Sequence, residues 1–455
     1  MIDIADLRKG LGRVCARAGL GTLTGEPQRL TGGAVMESWR FGAGRESFVL
    51  RRAPSLAFME GRPYGHALEA ALIEAAHAKG VTAPEVVAVL EEADGLGSGF
   101  IMRALPGTAD PKVILDCDDP DGLLREIARD LARIHRLRPK DQGGDVPEGV
   151  PVMDTRAAIA DLKAQFIEAG GDRPIIALGL KWLEDNCPEQ VDPVLNHGDY
   201  RMGNLLVEGS HLTGVLDWEL AHFGDRHEDL AFGCMAVWRF ARYDRPALGL
   251  GAIEDYCAAY EAESGTKVDP ARFRFWTIYR TVWWALGCLK MAAQWRSGAD
   301  RMLERVVISR RTSEQELDLL LLLEEDAPEA ERAFRNREPR RWTVPGDASA
   351  GELAEAVSEW LATIKDRLEG HDRFQLAVAR NALGMITRDD SIRPLWPRQE
   401  SLAREILLSK QGLCTPGLLH DLRQRAFEKC LVDAPKYPAL VEAHQRWINN
   451  FKRHD

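Results

Sequence analysis

The stretch His197-Gly198-Asp199-Tyr200-Arg201-Met202-Gly203-Asn204, with Leu216-Asp217-Trp218-Glu219 behind it, constrains this chain more than any other feature. Asp199 and Asn204 sit five residues apart in a short loop. A further acid, Asp217, closes the apolar run Leu212-Thr213-Gly214-Val215-Leu216. Phosphoryl transfer asks for such a set. One carboxylate orients the attacking hydroxyl, an amide oxygen holds a metal, and another carboxylate bridges metal and phosphates. His-Gly-Asp and Gly-Asn alone would be ordinary turn pairs between buried strands. Here they come in order with Leu205-Leu206-Val207, Val215-Leu216 and Gly224-Asp225-Arg226-His227-Glu228-Asp229-Leu230-Ala231.

The spacing H-x-D-x-x-x-x-N matches the catalytic loop of protein kinases, with Asp217 at the D-F-G aspartate. On these residues the chain resembles the aminoglycoside phosphotransferase superfamily over roughly residues 25–326. The resemblance implies an α+β, bilobal, protein-kinase-like fold with a β-rich N-lobe (1–106) and a helical C-lobe (107–326). It implies ATP and Mg2+ as cofactors, Asp199 as the catalytic carboxylate, and Asn204 and Asp217 as metal ligands. His197 then buttresses the loop, and Asp225 and Asp229 hold it by hydrogen bonds. Glu219 either touches the metal shell or pairs with a cation.

Upstream, Ile4, Leu7, Leu11, Val14 and Cys15 recur at helical spacing, and Gly19 closes the helix. From Arg29 the pattern turns to strands, with Gly32 and Gly33 between two runs. A glycine turn there lets main-chain amides approach phosphates, and it is equally a plain hairpin turn. By resemblance it occupies the nucleotide loop, without the full G-x-G-x-x-G. Phe48-Val49-Leu50-Arg51 falls where kinases carry V-A-I-K. An arginine can hold phosphate oxygens bidentately. Arg51 and Arg52 point to opposite faces of a strand, so only one serves, and Arg51 is favoured. Arg52 better suits a solvated edge charge. Glu69, with Glu74 as rival, takes the place of the helix glutamate that pairs with this cation. The main chain at Met102 and Ala104 resembles the hinge that meets adenine. His135 reads as structural, and the aromatics between Tyr256 and Trp295 read mostly as core.

Residues 327–348 read as a linker rich in Pro and Arg. Beyond it, 349–455 reads as an all-α bundle with four amphipathic segments. It resembles a small bacterial protein that accompanies phosphotransferases of acyl-CoA catabolism. Arg373, Arg380 and Asn381 share one helix face there; they suit an anion or a solvated surface.

The net charge of −11 argues against a general nucleic-acid binder. The charge divides unevenly: roughly +2 beyond residue 326 and roughly −13 before it. The eight cysteines show no C-x-x-C, which suits reduced thiols in the cytoplasm. The opening Met1-Ile2-Asp3-Ile4-Ala5-Asp6 is acidic and lacks a long apolar core, so no signal peptide is expected there. The most apolar run, Phe275 to Ala293, carries Arg280 and Lys290, so no membrane span is expected.

Within the superfamily, the R-L-T-G-G-A and F-V-L-R-R-A-P segments look most like the branch allied with acyl-CoA dehydrogenases. That resemblance implies a 4-hydroxyacyl-CoA or hydroxy acid as acceptor and an acyl-CoA dehydrogenase as pathway partner. The alternatives are an aminoglycoside or macrolide antibiotic kinase, which the acidic kinase part suits, and a nucleotide-binding scaffold without turnover.

Overall fold

The computed structural model describes residues 2–30, 36–59, 62–339, 348–392 and 399–448. Gly32 and Gly33 lie outside the described residues. The first helix, Ile4–Ala18, starts where the Asp3 carboxylate accepts the Ala5 N–H at 2.7 Å. It ends at Gly19, whose φ of 68° is left-handed. Its apolar face (Leu7, Leu11, Val14, Cys15) packs on Trp39, Phe41 and Phe48 of a five-stranded antiparallel sheet.

The sheet strands are β1 (Leu23–Arg29), β2 (Glu37–Ala43), β3 (Glu46–Arg52), β4 (Val86–Val89) and β5 (Gly99–Arg103), in the order β1-β2-β3-β5-β4. β1 is an edge strand with Pro27 as its one buried residue, so it lacks the alternation by which a strand is read. In β3 the alternation decides function. Phe48 and Leu50 face the first helix, and Arg51 projects from the other side toward the helix His66–Ala78 and the cleft.

The remainder is helical, apart from the short pairs β6 (Val194–Asn196) with β9 (His222–Gly224) and β7 (Leu205–Glu208) with β8 (His211–Val215). The helices Thr155–Glu168, Pro174–Asp185, Pro270–Ser297 and Thr312–Leu323 share one core with Glu400–Leu407, Leu418–Asp433 and Ala439–Trp447. The C-terminal helices therefore do not close a core of their own. The joint is also polar at its centre. Buried Glu324 accepts from Arg423 (2.6 Å), Arg446 (3.0 Å) and the Trp447 indole N–H (2.7 Å). The Tyr437 hydroxyl donates to Asp318 at 2.5 Å.

The stretch read as a linker contains a helical turn, Glu329–Arg332. Asn336 then docks, its main-chain N–H on Trp447 C=O and its amide on His420 C=O, each at 2.8 Å. The fifth C-terminal helix, Ala439–Trp447, was not expected from the sequence. The helices Ala350–Thr363 and Gly370–Ile392 pair with each other, the first opened by a Ser349–Glu352 capping box. No helix among the described residues is long and apolar enough to cross a membrane, and all eight cysteines are free.

Candidate active site

β6 ends at Asn196, and His197 follows it, buried against Tyr200 and Trp218. Gly198 turns the chain with φ 82°, and a Cβ there would strike the Leu220 carbonyl. Asp229 clamps the turn, accepting the His197 N–H at 2.5 Å and the Gly198 N–H at 2.9 Å. His135 backs Asp229 at 3.4 Å and meets the Tyr260 hydroxyl at 2.7 Å. Burial alone would raise the Asp229 pKa, but His135, His197 and the Gly198 N–H hold it below the usual carboxylate range. Arg280 ties the far side. It donates to Gly198 C=O at 2.8 Å and pairs with Glu228 at 2.7 Å, and Glu228 meets His222 at 2.9 Å. Asp225 pairs with His227 (2.6 Å) and Arg272 (2.7 Å). His227 overcomes the burial of Asp225 and keeps its pKa low. Asp225 and Asp229 are thus loop anchors rather than cleft residues.

The loop presents Asp199 between two partners, Arg201 at 2.9 Å and the Asn204 amide N–H at 2.5 Å. Burial raises the Asp199 pKa, opposed chiefly by Arg201. The Asn204 nitrogen also donates to Asp199 C=O at 2.9 Å, so its oxygen is the atom left for a cation. The Leu216 N–H donates to Asn204 C=O at 2.8 Å, which sets Asp217 beside the loop. His197 Nε2 reaches Leu216 C=O at 3.0 Å, a tie between the two loops. Asp217 itself has φ 68°, a left-handed conformation that costs a non-glycine residue about 1–3 kcal/mol. The surrounding ties hold it there.

Across the cleft, Arg51 meets Asp217 directly, Glu219 at 2.8 Å and Glu69 at 3.3 Å. Arg62 joins the cluster, 3.0 Å from Glu69 and 3.1 Å from Glu219. Burial works against the Arg51 charge, yet Asp217, Glu69 and Glu219 outweigh it and raise its pKa. Burial raises the Glu69 pKa against Arg51 and Arg62. Burial and the Asp217 charge push Glu219 up to about 7. Of the open choices, Arg51 and Glu69 stand in the cleft, while Glu74 is exposed. Glu219 pairs with cations in this arrangement. Arg52 is not a solvated edge charge. It is buried on a central strand, 3.7 Å from Glu37, because β3 has neighbours on both sides. At the hinge, Met102 pairs with Val49 in the sheet, and the Ala104 N–H is taken by Ser47 C=O at 2.9 Å. The Ala104 amide hydrogen is therefore not free for an adenine, and its carbonyl is the remaining polar atom.

Three arginines of the site were missed in the sequence. Arg62 carried no signal, since a non-regular segment before the helix brings it in. Arg201 lay inside the motif and was read past. Arg280 did signal itself, as a cation inside the most apolar run of the chain. The donor set of Asn204 and Asp217, with Glu219 near, is all oxygen and suits a hard divalent cation whose remaining ligands are phosphates and water.

Acyl-CoA dehydrogenase family member 10 of Mus musculus is 27% identical over 237 residues, covering 47% of this chain and 21% of that protein. The chain thus spans about a fifth of that relative's length. A solved structure from Ralstonia eutropha, assigned by inference as an aminoglycoside phosphotransferase, superposes with a TM-score of 0.55 at 18% identity. It covers 70% of this chain and 98% of its own, a likeness of fold. The profile of the phosphotransferase enzyme family (APH) matches residues 26–276, more than half of the sequence and every loop described above, and the chain belongs to that family.

Proposed function

We propose that the protein is an ATP- and magnesium-dependent kinase that phosphorylates a hydroxyl group of a 4-hydroxyacyl-CoA or the parent hydroxy acid. The observation that carries the kinase reading is the joined pair of loops. Asp199 is hydrogen-bonded to Asn204, and Asn204 is tied through Leu216 to Asp217. Asp199 accepts the proton of the acceptor hydroxyl while that oxygen bonds to the γ-phosphorus and the bond to the ADP oxygen breaks. Its basicity matters less than its position, which Arg201 and Asn204 fix. Asn204 and Asp217 would hold the magnesium, which when bound supplies charge neutralisation on the phosphates. Arg51, steadied by Glu69, would take the phosphate oxygens once nucleotide competes for it. We place this chemistry in the cytoplasm, where free thiols persist.

The acyl-CoA part rests on the branch resemblance and on the dehydrogenase name of the mouse relative. The test is ADP release with magnesium-ATP against 3-, 4- and 5-hydroxyacyl-CoAs, the free hydroxy acids and kanamycin, with Asp199→Ala as control. Turnover on the 4-hydroxy compounds that vanishes in Asp199→Ala is the expected result. Turnover on kanamycin alone overturns the acceptor, and ATP binding without turnover on any acceptor favours the scaffold.

A further inference from the structure

A cavity of about 570 Å³ opens between the C-lobe and the C-terminal helices. That volume lies in the range of small-molecule sites, about 300–1,000 Å³. Its apolar wall includes Trp238, Phe240 and Met385, and its cations include Arg380, Arg388 and Lys436. We propose that this cavity holds the phosphate-bearing carrier portion of an acyl thioester such as CoA, while the acyl chain runs past Trp238 toward Asp199. The proposal deepens the function given above and rests on it for the direction of the acyl chain.

Three observations carry it. First, the cations are not matched by acids. Arg388 Nε donates to Val432 C=O at 2.7 Å, and its Nη2 is buried with no hydrogen-bond partner among the described residues. Among the described residues Arg380 has only a 3.4 Å contact to the Ser358 hydroxyl, and Lys436 is exposed on the rim. The two acids of the lining are already engaged. Glu314 pairs with Arg311 at 3.0 Å, and Asp433 with Arg310 and Lys429 at 2.5 Å each. Arg380 and Lys436 thus keep N–H groups to offer a phosphate oxygen at the cavity.

Second, the cavity shares a wall with the catalytic loop. The Trp238 ring that lines it carries the Arg201 guanidinium 4.4 Å from its centroid, and Arg201 holds Asp199. Trp238 packs on Trp284 with centroids 5.3 Å apart, and both indole N–H groups are buried with no partner among the described residues. Trp238 thus touches both the cavity and the arginine that holds Asp199.

Third, Arg380 and Arg388 come from the helix Gly370–Ile392 and Lys436 from the turn before Ala439–Trp447, on the part of the chain with a slight positive balance. Of the three residues that share a helix face, Arg380 and Asn381 line the cavity. Arg373 instead pairs with Asp366 at 3.5 Å, outside it.

The test is calorimetry of the full chain with CoA, with the nucleotide cleft saturated by a non-hydrolysable ATP analogue so that the adenosine of CoA cannot enter it. Pantetheine, which lacks phosphate, is the second arm. CoA is expected to bind and pantetheine to bind much more weakly. Arg380→Glu and Lys436→Glu, at sites that tolerate change better than Arg388, each weaken CoA by at least about tenfold. Arg373→Glu leaves it unaltered. Thermal melts of each variant check folding. No CoA binding to the wild-type chain, or equal affinity in Arg380→Glu and Lys436→Glu, overturns the site. CoA binding that these variants lose, with no turnover on any hydroxyacyl-CoA, keeps the site and overturns the kinase acceptor instead.

Discussion

The cleft and the C-terminal cavity both gather arginines, but they balance them differently. In the cleft Arg51 and Arg62 lie among three carboxylates, Glu69, Asp217 and Glu219. In the cavity Arg380, Arg388 and Lys436 make no ion pair among the described residues, and Glu314 and Asp433 pair with other cations. A balanced cluster holds its own geometry before any ligand arrives. An unbalanced one carries a standing electrostatic cost that an anion relieves. The first suits machinery that must be pre-positioned, and the second suits recognition.

The comparison breaks most sharply at Asp199. Asp199→Ala is expected to lower the turnover rate by at least about a thousandfold while ATP still binds, because proton acceptance and hydroxyl positioning are lost together. Single-turnover kinetics with a nucleotide-binding assay checks this. Glu69→Ala comes next. It leaves two buried guanidinium groups short of a partner and should cost about 3 kcal/mol of stability. Urea unfolding measures it, and a loss under about 1 kcal/mol would mean that Asp217 and Glu219 rebalance the cluster. Arg51→Met against Arg52→Met sharpens the assignment on β3. The first should raise the KM for ATP by about tenfold or more, and the second should leave it near the wild-type value, since Arg52 faces Glu37.

The smallest effect is one of pH. Burial pushes Asp318 up to about 7 despite the Tyr437 hydroxyl. The folded chain therefore holds a proton that the unfolded chain releases near 3.8, its ordinary value. Stability from this group is fully present at low pH and falls as pH rises through about 7. Asp318→Asn should flatten that fall. Urea midpoints at pH 5 and pH 8 should differ more in the wild-type chain than in the variant.

Much of this was legible in the sequence because the proposed catalytic residues lie close together along the chain. Asp199, Asn204 and Asp217 sit on one short stretch, and their spacing carries their geometry. That only one of Arg51 and Arg52 could serve followed from the alternation of a strand, and Arg51 was favoured by its resemblance to the V-A-I-K position. What stayed hidden depends on distant chain. Arg62 and Glu219 are far apart in sequence and meet only when the lobes close on each other. The edge strand β1 hides because exposed residues fill both of its faces. The last helix hides because it is short and its Trp447 is buried against Glu324, a partner with no sequence mark. The Ala104 hinge was read from position alone, and only the pairing of β3 with β5 reveals that its N–H is taken.

Helix Thr312–Leu323 is walled on one side by Pro174–Asp185 and Pro270–Ser297 and on the other by Leu418–Asp433 and Ala439–Trp447. It works like a party wall between two houses. Heating should melt both sides together in a single transition. A gene cut at residue 326 would yield a protein with that wall bare, leucines outward, prone to clump in the test tube. Anyone dividing this chain for expression should keep the last helices attached.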